Sequence, residues 1–190
     1  MAIELKSFDM FQQQNQQLVL DRISSVLSAT KEGQAEQLTE LLDEAERVFI
    51  AGAGRSKLVG SFLAMRLMHA GYDVHIVGEV VTPSLRNGDV LVVISGSGET
   101  EQLVAFAQRT KAIGGTVALI SSRGESTLAE IADTVFEIGS PEVYETVRGM
   151  PMGTTFELST LCFLEALISH IIWEKKIPEE EMKTRHANLE

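Results

Sequence analysis

The sequence predicts an α/β fold: a three-layer sandwich in which a five-stranded parallel sheet, order 2-1-3-4-5, lies between helices. Three observations carry this prediction. Short β-branched runs, such as 47–51 (RVFIA) and 90–94 (VLVVI), alternate with stretches of helical periodicity. The run at 90–94 is apolar throughout, as expected for a strand covered on both faces. Two of the runs end in glycine turns, 52–56 (GAGRS) and 95–100 (SGSGET), the punctuation of strand-to-helix corners. With 190 residues, 44% hydrophobic, the chain is long enough for one such domain with a full core.

In chain order, residues 8–29 are polar with an apolar stripe of Phe11, Leu18, Ile23, Val26 and Leu27, which predicts an amphipathic helix. Its Gln-rich part, 12–17, is expected to face solvent or another subunit. A second helix is expected over 34–46. Strand one (47–51) leads through Gly52–Ser56 into a helix with Leu58, Phe62, Met65, Leu67 and Met68, whose methionine stripe Met65–Met68 is read as core. Strand two is 73–77, and Pro83 and Asn87–Gly88 mark a connection to strand three, 90–94. The next helix ends at Gly114–Gly115, a C-cap signal. Strand four (116–120), a short helix (126–132) and strand five (134–138) follow. A loop over 139–153 leads to a long helix, 155–175, stopped at Ile177–Pro178. The tail has acids early and bases late, as a short helix aligned with its dipole would.

Such a sheet binds ligands at the carboxyl ends of its strands, where the strand order reverses. Both glycine turns fall on that edge and, in the order 2-1-3-4-5, face each other. The turn 95–100 puts Gly96 and Gly98 where backbone can approach a ligand. Ser95, Ser97 and Thr100 add hydroxyls at the start of a helix whose N–H groups and dipole favour an anion. The pattern fits a phosphate cradle, and it also fits a strand–turn–helix corner capped by serines.

Composition narrows the function. A net charge of −11 argues against a nucleic-acid surface but not against a small phosphorylated ligand, which needs only local donors. The N-terminus lacks the basic and apolar regions of a signal peptide, and no apolar run reaches the ~20 residues of a membrane span. The single Cys162 is expected as a buried, inert thiol, and a reducing cytoplasm fits this usage. The motif Gly52-x-Gly54, with Glu79 ending strand two, invites a dinucleotide reading. Lys57 stands where the third glycine belongs, with Gly60 three residues late, and the second cradle has no place in that fingerprint.

GAGRS and ISGSGET together resemble the sugar isomerase (SIS) domain of phosphosugar isomerases and regulators. AMRLMHAGY, VVTPSL, PMGTTFE and the terminal HANLE are similar to the 6-phospho-3-hexuloisomerase branch of that family. The resemblance covers nearly everything after residue 47. It implies a single SIS domain over 1–190, with N-terminal helices 1–46 and an active-site tail 178–190. It implies conversion of D-arabino-hex-3-ulose 6-phosphate to fructose 6-phosphate through an enediol, in formaldehyde fixation by the ribulose monophosphate route, with hexulose-phosphate synthase as pathway partner. The implied enzyme is a cytoplasmic homotetramer that needs no cofactor and no metal.

The resemblance also assigns roles. Ser56, Ser95, Ser97 and Thr100 are implied as phosphate ligands on the backbone of Gly54, Gly96 and Gly98. Glu157 matches the family's glutamate after the PMG turn and is the candidate base; Thr154-x-x-Glu157 is equally a capping-box pattern. His186 in HANLE is the candidate for ring opening or proton shuttling, acting on a neighbouring subunit's site. Arg55 matches a basic position of related isomerases, either on the phosphate or on the carbonyl. Glu99 is weighed as a second acid–base against a helix-start acid, and His69 as a packing residue. A non-catalytic phosphosugar sensor remains the alternative, as does an arabinose 5-phosphate type isomerase. The ~45 acidic or neutral residues before strand one are expected to hold no basic recognition helix, and the C-terminal regulatory domains common in the arabinose 5-phosphate type are not expected here.

Overall fold

The computed structural model describes residues 2–146 and 150–189, with side chains from residue 10 onward. Of the loop expected over 139–153, residues 147–149 lie outside the described residues. Helices α1 (Ala2–Ala29) and α2 (Gln34–Glu44) precede strand β1 (Val48–Gly52). Then come α3 (Gly54–Ala70), β2 (Val74–Ile76), β3 (Val90–Ile94), α4 (Glu101–Ile113) and β4 (Thr116–Ser121). The chain continues through α5 (Thr127–Ile131), β5 (Thr134–Glu137), a 3-10 turn (Pro141–Tyr144), α6 (Thr154–Glu174) and α7 (Glu179–Arg185).

All strand pairs are parallel and the order is β2-β1-β3-β4-β5, as the sequence predicts. Side-chain alternation divides the core in two. Val48, Ile50, Val92, Ile94 and Ile120 pack with residues of α1, α2, α3 and α6. Phe49, Leu91, Val93 and Leu119 face Leu103 and Ala107 of α4 and Leu128 of α5. Two buried layers on one sheet explain why β3, and β4 from Val117 to Ile120, read as unbroken apolar runs. At the sheet's lower edge, Arg47 grips Asp89 with two bonds, 3.0 Å and 2.6 Å, and so ties the start of β1 to the start of β3.

Three expectations are corrected. On α3, Val59, Leu63, Ala64 and Leu67 form the buried stripe, while Met65 and Met68, expected in the core, are exposed at 56% and 37%, beside the exposed Leu58 and Phe62. The helix is apolar nearly all round, so composition could not say which side meets the sheet. Cys162 lies on the outer face of α6 and is exposed. Finally, α6 is long and apolar enough to cross a membrane by length and composition. Here its Phe156, Leu164, Leu167, Ile168 and Ile171 are buried against the sheet and its neighbours. In α1, Val26 is buried but Phe11 is 61% exposed.

The tail docks on the lower end of α3. Arg185 donates to the carbonyl of His69 at 3.0 Å, a cation at a helix C-terminus, and His186 stacks on His69 with centroids 5.2 Å apart. Burial lowers the pKa of His69, helped by the neighbouring His186 and Arg66. The unfolded chain therefore binds a proton there more readily than the fold does. The stability tied to neutral His69 is present above its unfolded value of about 6.5. It is lost as pH falls through the lower, folded value. Thermal unfolding of wild type and His69→Gln should thus converge below that range, with the difference largest near neutrality.

Candidate active site

The site forms where β1 and β3 part company at the upper edge of the sheet. Chain leaving β1 turns into α3, and chain leaving β3 turns away into α4 on the opposite face. Between them opens a cavity of about 620 Å³, within the range of small-molecule sites. Ser56, Ser95, Gly96, Ser97 and Thr100 line one side; Gly153, Thr155, Phe156 and Glu157 line the facing side. Ser122 and Arg123, after β4, and Tyr144 and Glu145, at the end of the 3-10 turn, add to the wall.

The loop after β3 is organised by its own hydroxyls. Ser95 Oγ accepts from the Gly98 N–H at 3.1 Å, and Ser97 Oγ from the Glu99 N–H at 3.2 Å. Each hydroxyl keeps its hydrogen for a ligand oxygen. Thr100 is the N-cap of α4, lines the cavity and makes no side-chain cap bond, which leaves its hydroxyl for a ligand. Ser122 Oγ donates to Gly96 O at 2.6 Å and pins the loop to the end of β4.

Two glycines of the loop are there for space. A Cβ on Gly96 would stand 2.9 Å from Phe156 Cδ1, so only glycine lets the first turn of α6 lie on the loop. Gly98 has φ +67°, and a Cβ there would meet Ser126 Oγ at 2.0 Å.

The facing wall is built around Glu157. Gly153, with φ +85°, is the N-cap of α6, and Thr154 is already helical. The capping-box reading of Thr154 and Glu157 therefore fails: the box needs its threonine one residue earlier, and no side-chain cap bond forms. The Glu157 carboxylate instead folds over Gly153, where a Cβ would stand 2.8 Å from its Oε1, and pairs with Arg55 Nε. The Glu157 side chain is 12% exposed and Arg55 60%. Arg55 is not itself part of the cavity lining; it reaches the site by orienting Glu157.

Two expected residues lie elsewhere. Glu99 accepts bonds from Thr127 Oγ1 at 2.7 Å and Thr127 N–H at 3.0 Å, and these bonds hold its pKa below the ordinary carboxylate value. It anchors the start of α5 and does not line the cavity, so the helix-start reading is corrected as well: the helix is α5, not α4. His186 is stacked at the far end of α3 from Arg55. Fourteen helical rises separate Arg55 from His69, about 20 Å, so His186 does not reach the cavity of its own chain.

Sequence reading missed Ser122, Arg123, Tyr144 and Glu145. The signal for the first two was available, since they follow an apolar strand at the same sheet edge. The last two depend on α1, whose Arg22 donates to the carbonyls of Val143 and Glu145 at 3.0 and 3.3 Å. The dinucleotide reading closes here too. Lys57 pairs with Glu79 at 3.5 Å, and Gly60 serves packing, its missing Cβ leaving room for Ile50. Among the described residues, no group of three His, Cys, Asp or Glu is placed to hold a metal ion.

The SIS domain model matches residues 41–169. The chain belongs to the SIS domain family. It is 49% identical to the 3-hexulose-6-phosphate isomerase of Methylomonas aminofaciens, over 92% of this chain and 98% of that one. It is 38% identical to the Bacillus subtilis protein of the same name, over 90% and 95%. A Methanococcus jannaschii crystal structure, described as inferring a 3-hexulose-6-phosphate isomerase function, superposes with a TM-score of 0.83 at 32% identity. It covers 93% of this chain and 99% of that one.

This geometry makes Gly98 the least replaceable residue of the SIS loop. Gly98→Ala should cost about 2 kcal/mol or more, from strain at positive φ plus overpacking against Ser126. Urea unfolding of the variant checks this.

Proposed function

We propose that the chain is a 6-phospho-3-hexuloisomerase, converting D-arabino-hex-3-ulose 6-phosphate to D-fructose 6-phosphate through a 2,3-enediol. The observation that carries this reading is the position of Glu157. It is ion-paired to Arg55 in the same cavity as the loop 95–100, in a chain 49% identical to a 3-hexulose-6-phosphate isomerase. Ser56, Ser95, Ser97 and Thr100, with the backbone at Gly54, Gly96 and Gly98, hold the phosphate. The phosphate end fixes the sugar so that carbon two faces Glu157. The carboxylate takes the proton from carbon two, the electron pair forms the enediolate, and a proton returns at carbon three as the carbonyl settles at carbon two. A placed base contributes roughly 10²–10⁴-fold, and fixed donors to the enediolate oxygens can add more.

The whole chain acts as one SIS domain with a catalytic tail, 178–190. His186 serves the site of a neighbouring copy in a homotetramer, moving protons between sugar oxygens. Two features support this. His186 is about 20 Å from its own cavity by the rise of α3. The exposed apolar face Leu58, Phe62 and Met65 starts one turn from Arg55, so a second copy covering it would stand beside the cavity mouth. The enzyme works in the cytoplasm on the ribulose monophosphate route beside hexulose-phosphate synthase.

The direct test supplies arabino-hexulose 6-phosphate, with EDTA present, and measures fructose 6-phosphate; arabinose 5-phosphate and sedoheptulose 7-phosphate should not be turned over. Glu157→Gln should lower turnover by roughly 10²–10⁴-fold while substrate binding stays measurable, and near-normal turnover would remove Glu157 as the base. Mixed Glu157→Gln and His186→Ala subunits should regain activity that neither has alone. Absence of rescue under confirmed subunit exchange would return His186 to a tail that only packs.

A further inference from the structure

The cradle for the phosphate is built of hydroxyls and N–H groups, which are neutral, whereas a sugar phosphate near neutral pH carries close to two negative charges. The surroundings make this worse. The chain has a net charge of −11, and two carboxylates, Glu145 and Glu157, line the same cavity. Glu157 has its own counter-charge in Arg55. Among the described residues one Lys or Arg lines the cavity, and it is Arg123.

Arg123 lies two residues beyond the end of β4, the strand beside the phosphate loop. Ser121 and Ser122 both donate to Gly96 O, at 3.3 and 2.6 Å, so Arg123 starts from backbone locked to that loop. Its N–H donates to Ser121 Oγ at 3.3 Å, which sets the turn that carries the side chain outward. The nearby Glu99 carboxylate feels its charge, but both Glu99 oxygens are already bonded to Thr127. Among the described residues no ion pair holds the Arg123 guanidinium.

We infer that Arg123 is the counter-charge for the substrate phosphate, closing over the loop 95–100 from the β4 side and giving the neutral cradle its preference for a dianion. A guanidinium can meet two phosphate oxygens at once, which a lysine cannot reproduce. This inference rests on the phosphosugar reading of the site but not on the isomerisation itself.

The test is therefore a binding titration. Fructose 6-phosphate is titrated calorimetrically into the full-length wild type, Arg123→Gln and Arg123→Lys, with inorganic phosphate as competitor, and folding is checked by thermal unfolding. Arg123→Gln should weaken fructose 6-phosphate binding roughly tenfold or more. Inorganic phosphate should weaken by the same factor, and Arg123→Lys should recover part of the loss. Equal affinities for wild type and Arg123→Gln would overturn the inference. So would weakened sugar phosphate binding with unchanged competition by phosphate, which would put the arginine on the sugar. A wild type that binds fructose 6-phosphate but shows no turnover of the hexulose phosphate overturns the isomerase reading alone.

Discussion

The contact on which the site depends is the close approach of Phe156 to Gly96. Two segments sixty residues apart meet there: the loop that ends the central strand β3, and the first turn of the last long helix. Because Gly96 has no side chain, the ring of Phe156 lies against loop backbone and the next residue, Glu157, is carried to the cavity rim. The same pattern recurs one step out, where Gly153 leaves space for the Glu157 carboxylate to fold back toward Arg55. Loop and carboxylate are therefore placed by packing against glycine, not by long flexible side chains. That is how a site keeps its geometry without ordering many rotamers.

The parallel sheet supplies the frame. The reversal of strand order between β1 and β3 sends α3 and α4 to opposite faces and leaves a crevice that no connection has to cross. The Arg47–Asp89 pair at the opposite edge holds the starts of these two strands together. The stiff end of the sheet thus lies below and the open, loop-built end above. Asp89 is fully buried, and its second oxygen is also bonded to the N–H of Arg86, so its charge is met from more than one side.

The helix α3 links this frame to the question of assembly. Its first turn carries Arg55 and Ser56 into the site, and its last turn receives the tail through Arg185 and His186. One helix thus holds apart, by its own length, two regions that the family resemblance brings into a single reaction. Between them, on its outer side, Leu58, Phe62 and Met65 stay exposed.

Much was legible in the sequence for local reasons. Short β-branched apolar runs bounded by glycine turns mark strands, Gly114 marks a helix end with positive φ, and parallel connectivity leaves few topologies open. The loop 95–100 could be read as an anion site because strand, turn and helix start are contiguous in the chain. What the tertiary structure decided is everything that depends on direction in space. It showed which face of α3 is buried, that Glu99 turns to α5 and not to the cavity, and that Glu157 pairs with Arg55 in place of a cap. It also showed that Arg123 joins the lining and that His186 sits a helix length away. Sequence periodicity specifies the angle of a residue about its own element. Only packing between elements specifies what that residue meets.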